Sequence, residues 1–252
     1  MFIKLGNLKI HYKVAGQGAS ILLLHGWGCD AEAVAKLQKH LAKQFTTYAI
    51  DLPGFGLSNV PVEIWGSAEY ADLVAQFINA TKIVNPILIG HSLGGKIIIK
   101  LVARNLVNIK KIVLISSAGV KLPRPFKLSL KIYFFKVVKF LAKLPIIKNI
   151  FGSRFELYKK KFGSPDYRSA SGQMRAILVK VVNEDVTALL SQIKAPTLLL
   201  WGDQDTSTPL AAGAIMHKMI SGSKLKVFSG SGHFPFLDNY EKVVMELDGF
   251  LK

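Results

Sequence analysis

One serine is fenced in by glycines: Leu88-Ile-Gly-His-Ser-Leu-Gly-Gly-Lys-Ile97 carries Ser92 between Gly90 and Gly94. Apolar runs stand on both sides, so the chain reads as strand, sharp turn, helix. The pattern G-x-S-x-G in that setting is a nucleophile elbow. The turn strains the serine backbone, and the flanking glycines leave room where a Cβ would collide. The hydroxyl then projects above the sheet, and the N-terminus of the following helix favours negative charge developing beside it. Acyl transfer is the chemistry this arrangement suits.

A serine hydroxyl is a weak nucleophile at neutral pH and needs a base. Six histidines are available. His11 falls in an early strand, His40 and His217 in helices, and His25 at the end of a strand. His91 adjoins Ser92 and must point elsewhere. His233, in Ser229-Gly-Ser-Gly-His-Phe-Pro235, follows the last strand on a loop that can aim an imidazole at Ser92. The imidazole needs a carboxylate to fix its tautomer. Asp203 and Asp205 both follow the strand Thr197 to Trp201. Asp205 lies farther past the strand end and is favoured, leaving Asp203 as a turn former. A tetrahedral oxyanion needs two fixed donors. The N–H of Leu93 is the first, and the Trp27 N–H in the loop His25-Gly26-Trp27-Gly28 is the second. This chemistry requires no metal or organic cofactor.

The elements that must position these residues alternate. Strands are expected at Phe2 to Leu5, Lys9 to Val14, Ile21 to Leu24, Thr46 to Ile50, Pro86 to Ile89, Ile112 to Ile115, Thr197 to Trp201 and Leu225 to Phe228. Helices are expected over 31–43, 68–80 (capped by Ser67), 94–106, 210–220 and 240–251. Such alternation predicts an α/β protein: a mostly parallel eight-stranded sheet with helices on both faces. Residues 120–186 break the rhythm with helical patterns and no strand. They read as a helical cap inserted between core segments 1–119 and 187–252.

The cap also concentrates charge. The 252-residue chain carries a net +17, and 15 of its 33 Lys and Arg lie between 121 and 185, against four acids. A basic amphipathic stretch over 126–144 places Lys136, Lys139 and Lys143 on one face and Leu130, Phe134, Val138 and Leu141 on the other. An anionic membrane surface or an acidic carrier protein would meet such a face. Nucleic acid is not expected, because no zinc-ligand spacing or recognition-helix signature is present. One cysteine, Cys29, rules out an internal disulfide and reads as a small buried residue. With no signal peptide and no apolar run of 18 residues, the expectation is a cytoplasmic protein, with the inner membrane surface within reach of its cap.

Taken together, GHSLGG, His25-Gly26-Trp27, Asp51-Leu-Pro-Gly-Phe-Gly-Leu-Ser58, Trp201-Gly-Asp-Gln-Asp205 with Pro209, and Gly232-His-Phe-Pro-Phe236 resemble the α/β-hydrolase family. The order Ser92, Asp205, His233 is the order of that fold. The resemblance implies Ser92 as nucleophile, His233 as base, Asp205 as acid, and Trp27 and Leu93 as oxyanion donors. It implies a structural role for the turn from Asp51 to Ser58. Serine at position 92 disfavours dehalogenases and epoxide hydrolases, which use aspartate. HGWG with DLPGFG resembles small carboxylesterases, including those acting on the methyl ester of pimeloyl-acyl-carrier protein, which typically carry Trp where His91 stands. The expected activity is hydrolysis of a small-molecule carboxylic ester with an apolar acyl group. Thioesterase, lactonase or carbon–carbon hydrolase activity, or ligand binding without turnover, are the alternatives.

Overall fold

Runs of four to eight residues rich in Ile, Leu and Val bury on both sides only when sandwiched between helices, and the chain meets that demand with one central sheet. The computed structural model describes residues 1–123 and 164–252. Its strands are β1 (Phe2–Leu5), β2 (Leu8–Ala15), β3 (Ser20–Leu24), β4 (Thr46–Ile50), β5 (Ile87–His91), β6 (Lys111–Ile115), β7 (Thr197–Gly202) and β8 (Lys224–Phe228). They lie in the order β1-β2-β4-β3-β5-β6-β7-β8. Only the β1–β2 and β2–β4 pairs are antiparallel; from β4 onward every neighbour is parallel.

The described helices are α1 (Ala35–Leu41), α2 (Ser67–Ala80), α3 (Leu93–Ala103), α4 (Pro165–Ser169), α5 (Gly172–Asn183), α6 (Leu210–Met219), α7 (Pro235–Asp238) and α8 (Tyr240–Leu251). Alternate strand residues feed two cores. Leu22, Leu88, Leu114 and Trp201 pack with residues of α2, α3 and α6. Ile21, Ile89, Ile115 and Leu200 pack with residues of α1 and α8. From β3 the chain steps to β4 on one side and returns to β5 on the other. Ligands of open α/β sheets bind at such a reversal, beyond the strand ends. Here the two loops that leave it are His25 to Gly28 and the Ser92 turn.

Two helix starts differ from expectation. The helix anticipated over 31–43 opens as a 3-10 turn, Ala31–Val34, and α1 ends at Leu41. Asp30 caps the Glu32 N–H at 2.9 Å, and Asp51 Oδ1 accepts the Ala31 N–H at 2.7 Å. In α2 the cap is Gly66, not Ser67; Glu69 Oε2 reaches back to the Gly66 N–H at 2.6 Å. Ser67 is instead the first helical residue, with its hydroxyl on the Glu184 carboxylate. A partner 117 positions away cannot be read from local sequence.

Of the expected cap, 120–186, the described residues are 120–123 and 164–186. The amphipathic stretch 126–144 and the triplet Lys159 to Lys161 lie outside the described residues. Within the rest, α5 lies along the loop before α2: Lys180 Nζ donates to the Ile64 carbonyl at 2.9 Å and Gln173 Nε2 to Val62. Among the described residues no helix is long and apolar enough to cross a membrane.

The buried end of Lys96 ties α5 to the helix that follows Ser92. Its Nζ donates to the Val181 carbonyl at 2.7 Å and the Glu184 carbonyl at 3.1 Å. Burial lowers its pKa from 10.5 to about 8, against the opposing pull of Glu184 and Asp185. The folded state therefore releases this proton before the unfolded state does. Below about pH 8 the buried charge costs stability, and that cost fades as pH rises from 8 toward 10.5. Urea unfolding between pH 7.5 and 9.5 should show wild-type stability rising relative to Lys96→Met; parallel curves would contradict the shift.

The turn from Asp51 to Ser58 is structural, as its resemblance implies. Asp51 accepts from Ala31 N–H at 2.7 Å, Leu57 N–H at 2.9 Å and His11 Nδ1 at 2.8 Å. Burial opposes ionisation of this carboxyl, but these donors outweigh it and hold its pKa below the usual range. Ser58 Oγ donates to the Asp51 carbonyl at 2.6 Å. Asp51→Ala would orphan several donors at once, and each buried one costs about 1–3 kcal/mol. A loss of about 3 kcal/mol, or about 6–12 °C in Tm for a chain of this size, is expected by thermal melting.

Candidate active site

The elbow begins where β5 runs out of room. Ser92 adopts φ +51°, ψ −110°, a conformation an L-residue occupies only under constraint. Its N–H donates to the Ile115 carbonyl at 3.0 Å, and its own carbonyl accepts from Ala118 at 3.0 Å and Lys96 at 3.2 Å. Two glycines make the bend feasible. A Cβ on Gly90 would lie 2.6 Å from the backbone of Gly94, and one on Gly94 would lie 2.3 Å from the Leu24 carbonyl oxygen.

Leu93 is the first residue of α3, so its N–H has no carbonyl within the helix. Neither it nor the Trp27 N–H has a backbone partner among the described residues. The Trp27 loop abuts the elbow: a Cβ on Gly26 would fall 3.2 Å from the Ser92 Cβ. His25 holds that loop. Its Nδ1–H donates to the Gly26 carbonyl at 2.7 Å, and its Nε2 accepts the Leu52 N–H at 3.0 Å. Burial lowers its pKa, which keeps the ring neutral as this bonding requires. The Trp27 ring packs edge-on against Phe55, with centroids 4.9 Å apart.

Past β7, Asp205 is buried and fully engaged. Its Oδ1 accepts the N–H groups of Ser207 and Thr208, each at 2.9 Å. Its Oδ2 accepts the Thr208 hydroxyl at 2.8 Å and His233 Nδ1–H at 2.8 Å. Burial would raise its pKa, but the His233 and Thr208 hydrogen bonds win and lower it from 3.8 to about 2. Asp203 points elsewhere, accepting the Gly230 N–H at 2.8 Å, as a turn former does. Residues 205 and 233 thus meet as expected. Ser92 Oγ makes no hydrogen bond to the His233 ring in this geometry; catalytic hydrogen bonds in free enzymes often tighten only on substrate binding.

Two groups at the site escaped the sequence reading. Thr208 braces Asp205 and also lies 3.0 Å from the Ser116 carbonyl. The run Asp205-Thr-Ser-Thr208 carried that signal, since aspartates often accept N–H groups two and three residues on. His91 does not turn away from the site; it contacts His233. Cys29 is half-buried, not buried. Burial, with the charges of Asp30 and Asp166, raises its pKa and leaves it a protonated thiol.

Sheet order, strained serine and paired Asp205–His233 define a hydrolase architecture, and comparison with known proteins agrees. A family model for the alpha/beta hydrolase fold matches residues 19–240, so the chain belongs to the α/β-hydrolase family. The pimeloyl-[acyl-carrier protein] methyl ester esterase of Chromobacterium violaceum is 25% identical over 259 residues, covering 95% of this chain and 97% of that protein. An esterase from Exiguobacterium antarcticum superimposes with a TM-score of 0.76 at 26% identity, covering 99% of this chain and 98% of that one. The enol-lactonase of Burkholderia xenovorans shares the fold, with a TM-score of 0.76 at 18% identity over 100% of this chain and 99% of that one.

Proposed function

We propose that the protein is a serine esterase that cleaves carboxylic esters through an acyl-serine intermediate. The observation that carries this reading is the Asp205–His233 hydrogen bond of 2.8 Å on the same sheet edge as a serine at φ +51°. The similarity to two esterases supports the bond type. Because Asp205 binds Nδ1–H, the His233 Nε2 carries the lone pair and takes the Ser92 proton as Oγ attacks the ester carbonyl. The N–H groups of Trp27 and Leu93 receive the oxyanion, an arrangement worth about 3–4 kcal/mol per donor. His233 returns the proton to the leaving alcohol. It then takes one from water as the water oxygen attacks the acyl carbonyl, and passes that proton to Ser92 Oγ as the acid leaves, so that serine and base are both restored.

Trp27 and Phe55 beside the oxyanion loop supply an apolar wall that suits an acyl chain over a charged group. The test is a chain-length series of p-nitrophenyl esters, run beside fluorophosphonate labelling of the serine. Turnover that varies with chain length, together with stoichiometric labelling at Ser92, is expected. Failure of both would remove the proposal.

A further inference from the structure

We propose that His91 is a positioning residue for His233, clamping the base loop to the nucleophile strand. The inference rests on reading His233 as the base. His91 is the last residue of β5 and is buried at 3% exposure. Its Nε2–H donates to the main-chain carbonyl of His233 at 2.8 Å. Its ring centroid lies 4.7 Å from that of His233, 4.7 Å from Phe234 and 5.2 Å from Phe236. On its other side, a Cβ on Gly26 would sit 2.8 Å from Nδ1. One imidazole therefore touches the base loop and the oxyanion loop while being bonded in sequence to Ser92.

The geometry divides the labour of orientation. Asp205 fixes the His233 ring through Nδ1, while His91 fixes the main chain from which that ring hangs. Asp205, past β7, and His91, at the end of β5, together set the direction of Nε2; without the His91 bond the His233 carbonyl loses its anchor and the ring can tilt about Nδ1. The rest of the loop is tied at Gly230 to Asp203 and at Gly232 to Asp238, and the Ser231 carbonyl accepts the Gln204 N–H, so His91 supplies the anchor at the His233 carbonyl itself. Catalysis is sensitive to this, since a misplacement of about 1 Å can cost about 100-fold. The clamp must also stay neutral while His233 becomes a cation. Burial and the facing His233 and His25, against the opposite pull of the hydrogen bond to the His233 carbonyl and of Asp205, push its pKa down to about 3. With Nε2–H donating, the neutral ring leaves Nδ1 unprotonated toward Gly26.

Three variants separate the hydrogen bond from packing. His91→Phe keeps a ring but has no donor, His91→Gln keeps a donor near the Nε2 position, and His91→Asn carries a donor that falls short of it. Expected are a kcat loss of about 10- to 100-fold for His91→Phe and His91→Asn with KM changed less than about threefold, and recovery to within about threefold of wild type for His91→Gln. The low-field proton resonance of His233 Nδ1–H, assigned by its loss in His233→Ala, should shift or broaden in the Phe and Asn variants and persist in the Gln variant. Melting temperatures identify any variant that fails to fold, and the remaining pair still decides. Wild-type kcat and resonance in His91→Phe, or Gln as impaired as Asn in folded protein, would overturn the role. If wild-type protein turns over no ester, the esterase reading fails by itself and the resonance alone judges His91.

Discussion

Ser92→Ala should lower ester kcat by about 10⁴- to 10⁶-fold while leaving the fold intact. The magnitude follows from what the substitution deletes. Without Oγ there is no acyl-enzyme, and His233 has no nucleophile to deprotonate, so the triad fails as a unit. The residue left is direct water attack assisted by the Trp27 and Leu93 N–H groups. Stability should change little or rise, because a residue at φ +51° on a tight turn is held there by its neighbours, not by its hydroxyl. The main-chain bonds to Ile115, Lys96 and Ala118 survive the change. Steady-state hydrolysis, fluorophosphonate labelling and thermal melting check this together. Substantial turnover in a folded, unlabelled variant would mean that another group attacks the ester.

Asp205→Asn should cost about 10⁴-fold in kcat, for a reason specific to this site. Two N–H donors, from Ser207 and Thr208, converge on Oδ1 and demand an oxygen there. The asparagine amide must therefore turn its NH₂ toward His233. Nδ1 then becomes the acceptor and the proton moves to Nε2, which can no longer take one from Ser92. The low-field Nδ1–H resonance should vanish. The same variant carries a stability signature. The Asp205 carboxyl is lowered from 3.8 to about 2 in the folded protein, so its contribution is complete above about pH 4 and is lost as pH falls through about 2. Acid unfolding of Asp205→Asn should lack that component. An unchanged kcat would assign the acid to another residue.

Much of this was written locally. The Gly90-x-Ser92-x-Gly94 pattern, the apolar runs of β3, β5, β6 and β7, and the aspartates just past β7 follow from neighbours a few positions apart. That is why strand existence and the serine turn were legible. Boundaries were less so: the break between the 3-10 turn and α1 depends on Asp30 and on Asp51, one near in sequence and one 20 positions away. Local sequence points to Ser67 as the cap of α2, but Glu184, far along the chain, occupies its hydroxyl and Gly66 takes the cap position.

The sequence by itself determined the sheet, the constrained serine, and the short list from which acid and base were drawn, since each is set by periodicity and by glycine where a Cβ cannot fit. The tertiary structure decided between Asp203 and Asp205, turning one to Gly230 and the other to His233. It also turned His91 inward onto a carbonyl 142 residues away and sent Lys96 to close off the end of α5. Those choices depend on which polar group is left without water when the strand ends come together. Burial then makes each unpaired donor too costly to leave unmet.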